Sequence, residues 1–365
     1  MSVRPLARDD LPAVAALYQR VIVGDTDPPP DRLVRALERA TLDHPWAEPG
    51  LPSLVHEGSA DRIVGFQASY ARRLALDDRP LRMVCCGQLV ADPDAETLGI
   101  GALLMKRMLA GPQDLTVTDG ATAEVRAMWS RLGGSSGGLS SVGWTRVFRP
   151  GRLALHLAAR KQGRARTLEG SGRIPAATEG EELTPGRLME LIARTPGHLR
   201  PAYDIEFLDW LFAEMDVVKG RGPLARRVVC NSRGQDLGWY VAYLPAQGIA
   251  QAIGVGSVRP DAGPVLDRLF ADARAAGASA LQGRVEHAIL PALTTRRCLL
   301  RGAEWAMTHY TDDEVAAAAG REQALITRLD GEWWMGYHLE RREPWGSPAK
   351  PRPARTGVEP GGSRV

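Results

Sequence analysis

Apolar residues alternate along the chain between two spacings. Val14, Leu17, Tyr18 and Val21 follow Asp10, Leu11 and Pro12 at helical intervals. Asp is a good helix cap, and Pro is tolerated in a first turn. A second helix is predicted from near Pro30 through Leu33, Val34 and Leu37. Strands are predicted over residues 53–56, 62–71 and 81–91, a helix over 101–110, a strand over 115–118 and a helix over 121–132. Gly133 and Gly134 suit the end of that last helix. The order then repeats. Thr184 and Asp204 open two helices. Strands are predicted over 226–230, 237–243 and 249–258, a helix near 264–276, a strand near 280–285 and a helix near 288–300.

Two local matches support an internal repeat. Val90-Ala91-Asp92-Pro93-Asp94-Ala95 resembles Val258-Arg259-Pro260-Asp261-Ala262, each between a strand and a helix. Ile63-Val64-Gly65-Phe66 resembles Asp236-Leu237-Gly238-Trp239, each at the start of a strand. Gly65 lies 68 residues before Gly133, and Gly238 lies 64 before Gly302. Such self-similarity points to duplication. The expected organisation is a first domain over 1–150, a connection over 151–180, a second domain over 181–340 and a disordered basic tail over 341–365. The Gly/Ser-rich stretch 134–143 reads as a flexible surface loop.

Composition narrows the function classes. The net charge is +3, but the last 25 residues hold six Lys/Arg against two Glu, so the rest of the chain sits near −1. That excludes a strongly basic folded face, and no nucleic-acid partner is expected. No apolar stretch is long enough to span a bilayer, and residues 1–10 lack an apolar run, so a cytoplasmic protein without membrane contact is expected. Cys85, Cys86, Cys230 and Cys298 show no CxxC spacing, and the seven histidines form no ligand pattern. Reduced thiols and no metal site are expected.

One stretch carries chemistry. From Leu89 through Pro93 to Gly99, Gly101 and Leu104, a strand ends at a proline. A short loop then passes two glycines and enters an apolar helix. Unpaired N–H groups and the positive dipole end of that helix suit a pyrophosphate. This stretch resembles the pyrophosphate-cradling motif of the GNAT superfamily of N-acetyltransferases, Arg/Gln-x-x-Gly-x-Gly/Ala, at Glu96, Gly99 and Gly101. Trp129-Ser130-Arg131-Leu132-Gly133 is similar to the family's Tyr-x-Lys-x-Gly helix end. The whole chain looks like tandem-GNAT proteins. The resemblance implies an α/β fold of two tandem GNAT-like domains, each a mixed central sheet flanked by helices. It also implies acetyl-CoA as cosubstrate, held by Gln88, Leu89, Val90, Glu96, Thr97, Leu98, Gly99, Ile100, Gly101 and Ala102.

The departures matter as much. Glu96 places a carboxylate where the family has Arg or Gln. Trp129 replaces a tyrosine that acts as general acid in many members, and indole has no such proton. The second half reads Pro260-Asp261-Ala262-Gly263-Pro264 and lacks the paired glycines. It is expected not to bind the cosubstrate and to shape the acceptor cleft instead.

Asp119 and Tyr70 are the candidates for proton transfer. Asp119 also reads as a helix cap, and Tyr70 as a half-buried strand residue. Cys85 and Cys86 read as core thiols. Trp333 and Trp334, beside Asp330 and Glu332, read either as cleft lining or as packing. The expected activity is transfer of an acetyl or other acyl group to an amine of a small molecule or peptide by direct attack. A non-catalytic acyl-CoA sensor or scaffold is the alternative, and a Fem-type aminoacyl transferase is a further one.

Overall fold

The computed structural model describes residues 2–161, 181–302, 306–320 and 324–335. The tail over 341–365 and most of the connection over 151–180 lie outside the described residues. Elements are numbered in chain order. The first half contains β1 (Ser2–Pro5), α1 (Leu11–Tyr18), α2 (Asp31–Thr41), β2 (Leu54–Glu57), β3 (Ile63–Leu76) and β4 (Arg79–Ala91). It continues with α3 (Ile100–Leu109), β5 (Leu115–Thr118), α4 (Ala123–Arg131), β6 (Ser135–Ser136), β7 (Val142–Val147) and α5 (Pro150–Lys161). The second half contains α6 (Pro185–Arg194), β8 (Leu199–Pro201), α7 (Ile205–Asp216), β9 (Leu224–Cys230), β10 (Asp236–Tyr243) and β11 (Ile249–Ser257). It ends with α8 (Gly263–Ala276), β12 (Ala280–Arg284), α9 (Leu290–Thr295), β13 (Leu299–Gly302), β14 (Met307–Tyr310) and α10 (Asp313–Gly320).

Local chemistry explains many of these starts. Thr184 and Asp204 cap α6 and α7, each accepting the N–H three residues on, from Arg187 and Phe207. Gly65 lets α3 lie on β3: a Cβ there would stand 2.4 Å from Ile100 Cγ2 and 3.0 Å from Leu104 Cδ1. Gly238 does the same under α8, where a Cβ would meet Val265 Cγ2 at 2.9 Å. The matching glycines of the sequence are therefore matching helix–strand approaches.

Two mixed sheets result. The first runs β1-β2-β3-β4-β5-β14-β6, with β8 also pairing β3, and the second runs β13-β7-β12-β11-β10-β9. In each sheet the fourth and fifth strands of that half form the parallel pair. In the first, β4 pairs β5 over Met83–Cys85 and Leu115–Val117. In the second, β11 pairs β12 over Ile249–Gln251 and Ala280–Gln282. Both halves carry a bulge beside that pair. Gln88 and Leu89 oppose Gln67 alone, and Ile253 is the extra residue opposite Val241 and Ala242.

The halves exchange strands, which periodicity does not foresee. β7 lies before residue 150 yet sits between β12 and β13 in the second sheet. β14, from the second half, pairs β5 and β6 in the first. Three further expectations need correction. The stretch 134–143 is not wholly loop, because Ser135–Ser136 joins β14 and β7 begins at Val142. The predicted helix over 288–300 is only the six residues of α9 before the chain turns into β13. The strand predicted over 62–71 continues to Leu76, where it pairs with β8.

A core between the halves fixes their relation. The Trp46 ring stacks on Phe207 at 3.7 Å between centroids, and its Nε1 donates to Asp204 Oδ2 at 2.7 Å. Leu325, Leu329, Trp333 and Trp334 pack into the same cluster. A fully buried tryptophan removes roughly 200 Å² from water, an upper estimate of about 5 kcal/mol.

Candidate active site

The glycine loop is built by β4 and α3. As β4 leaves the sheet, the buried Asp92 carboxylate accepts the Asp94 N–H at 3.1 Å and pairs with Arg20 at 2.7 Å, which sets the turn. Gly99 adopts φ +75°, in the left-handed region, and no side chain caps the helix start. The first N–H groups of α3 therefore face outward unclaimed by a side-chain cap. Glu96 is exposed, and Leu98 is 92% exposed at the loop tip. A Cβ on Gly101 would be in ordinary contact with Leu89 and Met128, at 3.7 and 3.8 Å.

Past Cys85 and Val117 the parallel strands part, and a wedge opens between Gly87–Gln88 and Thr118–Gly120. Gln88 takes φ +36° at the bulge. The wedge holds the carboxyl group of Glu332. A Cβ on Gly87 would stand 2.1 Å from its Oε2, and one on Gly120 would stand 3.7 Å from its Oε1. Gln88 Nε2 donates to Oε2 at 3.0 Å, and the Gln88 backbone N–H and the Thr118 hydroxyl also serve this carboxyl. Tyr70 donates its hydroxyl proton to Gln88 Oε1. Asp119 Oδ1 accepts the backbone N–H of Glu332 at 3.1 Å and of Trp333 at 3.2 Å. Asp119 Oδ2 lies against Gly331 and has no hydrogen-bond partner among the described residues.

Gln88 thus holds the Glu332 carboxyl, Tyr70 holds Gln88, and Asp119 holds the Glu332 backbone. Burial, then the neighbouring Asp119 charge, pushes the Glu332 carboxyl well above the usual range. Asp119 is not the helix cap: Thr122 fills that role, with Oγ1 accepting Val125 N–H at 3.4 Å. Tyr70 is fully buried rather than half-buried. Glu332 was the residue that sequence reasoning passed over. Its signal was two acids, Asp330 and Glu332, set inside an apolar run ending in Trp333-Trp334.

The segment bearing Glu332 is tied to both halves. Arg328 N–H donates to Ile253 O at 3.1 Å, at the bulge of β11. Asp330 accepts the Tyr203 hydroxyl at 2.6 Å and the Thr327 N–H at 2.9 Å, and its carbonyl accepts Arg72 Nε at 3.2 Å. The guanidinium groups of Arg221 and Arg328 lie 3.6 and 4.3 Å from the Trp333 ring centre. Trp333 and Trp334 are buried packing in a short 3-10 turn, not a last strand.

Other sequence candidates stand apart. Trp129 is buried, and its Nε1 donates to Thr308 O at 3.0 Å. Cys85 and Cys86 are buried, and burial raises both thiols, which leaves them poor nucleophiles. At α8 the Asp261 carboxylate accepts Gly263 N–H at 2.7 Å, and the Arg296 guanidinium lies across Gly263. That helix start is occupied by its own side chains. Among the described residues no cluster of side chains suits a metal ion, and no helix is long and apolar enough to cross a membrane.

No sequence-family model matches the chain, and no curated protein matches it in sequence. Solved structures do. A GCN5-related N-acetyltransferase from Kribbella flavida superposes with a TM-score of 0.53 at 14% identity, covering 87% of this chain and 74% of that one. A conserved Enterococcus faecalis V583 protein, titled a probable N-acyltransferase, gives 0.52 at 11% identity over 85% and 72%. Eis1 from Mycobacterium abscessus gives 0.51 at 15% identity over 87% and 76%. The chain has the GNAT acyl-CoA N-acyltransferase fold. At these coverages each superposition takes in both halves. In GNAT terms, the bulged β4, the parting β5 and the glycine loop before α3 belong to the first half. The second half contributes β14 and Glu332 to the same site.

Proposed function

We propose that the protein transfers an acyl group from acyl-CoA to an amine in the wedge of the first half. The observation that carries this reading is the Glu332 carboxyl, held between Gln88 and Thr118 where β4 and β5 part, beside Asp119. An amine must lose a proton to attack a thioester, and a positioned carboxyl typically contributes 10²–10⁴-fold to such a step. In this reading Glu332 acts in its ionised form, which burial makes a stronger base, and takes the proton as nitrogen bonds to the carbonyl carbon. The carbon–sulfur bond then breaks, and the leaving thiolate takes up a proton to give free CoA. Asp119 and the Tyr70–Gln88 pair position Glu332. Backbone donors from Gly99 to Ala102, with Gln88, Leu89, Val90 and the loop residues Glu96 to Leu98, hold the cosubstrate.

The test is a thiol-release assay with acetyl-CoA and a panel of primary amines, with products read by mass spectrometry. Acetylated amine formed by wild type and reduced about a hundredfold or more in Glu332→Gln is expected. Wild-type turnover unchanged in that variant refutes the role of Glu332. A second reading, a sensor that binds acyl-CoA without turnover, is favoured by the buried indole of Trp129, which supplies no acid to a thiolate. It predicts CoA binding with no product for any amine.

A further inference from the structure

A cavity of about 780 Å³ opens beside the wedge, between the two sheets. Its wall begins at Thr118 and Asp119 and ends on Arg284, Glu286 and His287 at the end of β12. It therefore runs from Asp119, which holds the Glu332 backbone N–H, to residues of the second half. Its size suits a small organic molecule, since ligand pockets run to about 300–1,000 Å³.

The chemistry of the wall is uneven. Among the described residues, Asp119, Glu286 and Asp330 line it with carboxyl groups, against the Arg284 guanidinium and the His287 imidazole. Asp330 is satisfied on both oxygens by Tyr203 and Thr327. Arg284 donates from Nη2 to Ile326 O at 2.9 Å, and its enclosed Nε has no hydrogen-bond partner among the described residues. Among the described residues, two enclosed carboxylate oxygens of this wall have no hydrogen-bond partner, Asp119 Oδ2 and Glu286 Oε2. A buried acceptor left unpaired is destabilising. Two on one cavity are best explained by a ligand that brings donors and positive charge to both. The wall also carries apolar side chains, Val142, Met307 and Ile326 among them.

We propose that this cavity is an acceptor subsite for a small aliphatic amine carrying a second cationic group, which Glu286 holds while the reacting amine faces Asp119 and Glu332. The inference rests on the acyl-transfer reading for which end reacts. Its binding component does not. Burial raises the Glu286 carboxyl to about 8, with Arg284 and Arg328 opposing that shift and Asp330 adding to it. At neutral pH Glu286 is thus mostly protonated, and a cation seated against it drives its proton off.

Calorimetry without acetyl-CoA tests this with putrescine, n-butylamine and 4-aminobutyrate, which share a four-carbon chain. Putrescine is expected to bind about tenfold or more tighter than either of the others. Glu286→Gln is expected to bring putrescine down to the level of n-butylamine. Repeating the titration in buffers of different ionisation enthalpy should show less proton release in the variant. Equal affinity for putrescine and n-butylamine, preference for 4-aminobutyrate, or no amine binding in wild type would each overturn the proposal. So would selectivity that survives in folded Glu286→Gln. If the variant does not fold, the wild-type order of the three ligands decides. Putrescine binding with no turnover refutes the transfer reading alone. Turnover that ignores the second amine and Glu286 refutes this subsite alone.

Discussion

Gly101→Asp separates the fold of the glycine loop from its ligand. A Cβ at this position meets only Leu89 and Met128, at 3.7 and 3.8 Å, so the side chain enters without a clash. The residue lies in the first turn of α3, where no side chain caps the helix. A carboxylate there gains about 0.3–1 kcal/mol from the helix dipole, and replacing Gly inside a helix adds a few tenths. The folded protein should therefore be as stable as wild type or slightly more so. Binding should move the other way. A carboxylate about 5 Å from a phosphate charge, at an effective dielectric near 40, repels it by roughly 1.7 kcal/mol. It also competes for the same N–H donors. The expected result is a CoA affinity about tenfold lower or worse, at least about 1.4 kcal/mol, with an unchanged or raised melting temperature. Calorimetry measures the first and circular dichroism the second. A folded variant with wild-type affinity would mean that the loop is only a strand–helix connection, and the acyl-CoA site would have to be sought elsewhere.

Other perturbations test other parts. Glu96→Gln should tighten CoA binding modestly by removing a negative charge from the loop; calorimetry showing weaker binding would place Glu96 among the holding groups. Trp129→Phe should cost about 1–3 kcal/mol of stability through the lost bond to Thr308 O while leaving CoA affinity unchanged, read by urea titration and calorimetry. His44 accepts the Trp46 N–H on Nδ1, and burial lowers it to about 3 from 6.5. The unfolded chain thus binds a proton that the folded chain does not between those values. Stability should fall by about 1.4 kcal/mol for each unit of acidification in that window. His44→Asn, which keeps an acceptor, should flatten the difference measured by urea unfolding at pH 6 and 4.5.

What could be read from sequence and what could not divide along physical lines. Capped helix starts such as Thr184 and Asp204, and the Gly99–Gly101 loop, depend on short-range chemistry and stood where spacing placed them. The Gly65 and Gly238 match was visible because close helix–strand approach demands the same small residue in both halves. Pairings across long separations left no such trace. β7 has the composition of a last strand of its own half, and nothing local says that its neighbours are β12 and β13. The predicted helix over 288–300 failed because apolar Leu299 and Leu300 continue a helical spacing but belong to an edge strand. Asp119 and Tyr70 were singled out from their place on strands. Glu332, which Asp119 holds directly and Tyr70 reaches through Gln88, lies 213 residues from Asp119, on a segment whose apolar residues read as ordinary packing.

The strand exchange and the Glu332 segment have one consequence in common. The first sheet is completed by β14, and its wedge is filled from residues 330–332, all beyond the first half. The second sheet has β7 in its interior, so cutting the chain near residue 150 would remove a central strand and expose the edges of β12 and β13. Unpaired edges of that kind carry unsatisfied N–H and C=O groups and invite aggregation. The second half has a helix start occupied by Asp261 and Arg296, yet it supplies the carboxyl in the first wedge and the Glu286 wall of the cavity. In the proposed reading a half that holds no cosubstrate is still indispensable, because the residues that would move the proton and hold the acceptor reach the wedge only if both halves fold together. The two halves are then a single cooperative unit rather than an enzyme with an appendage. Denaturant unfolding followed by Trp fluorescence and by far-ultraviolet circular dichroism should therefore give one coincident transition. Two separated transitions would show that the halves fold independently and that the exchanged strands contribute little.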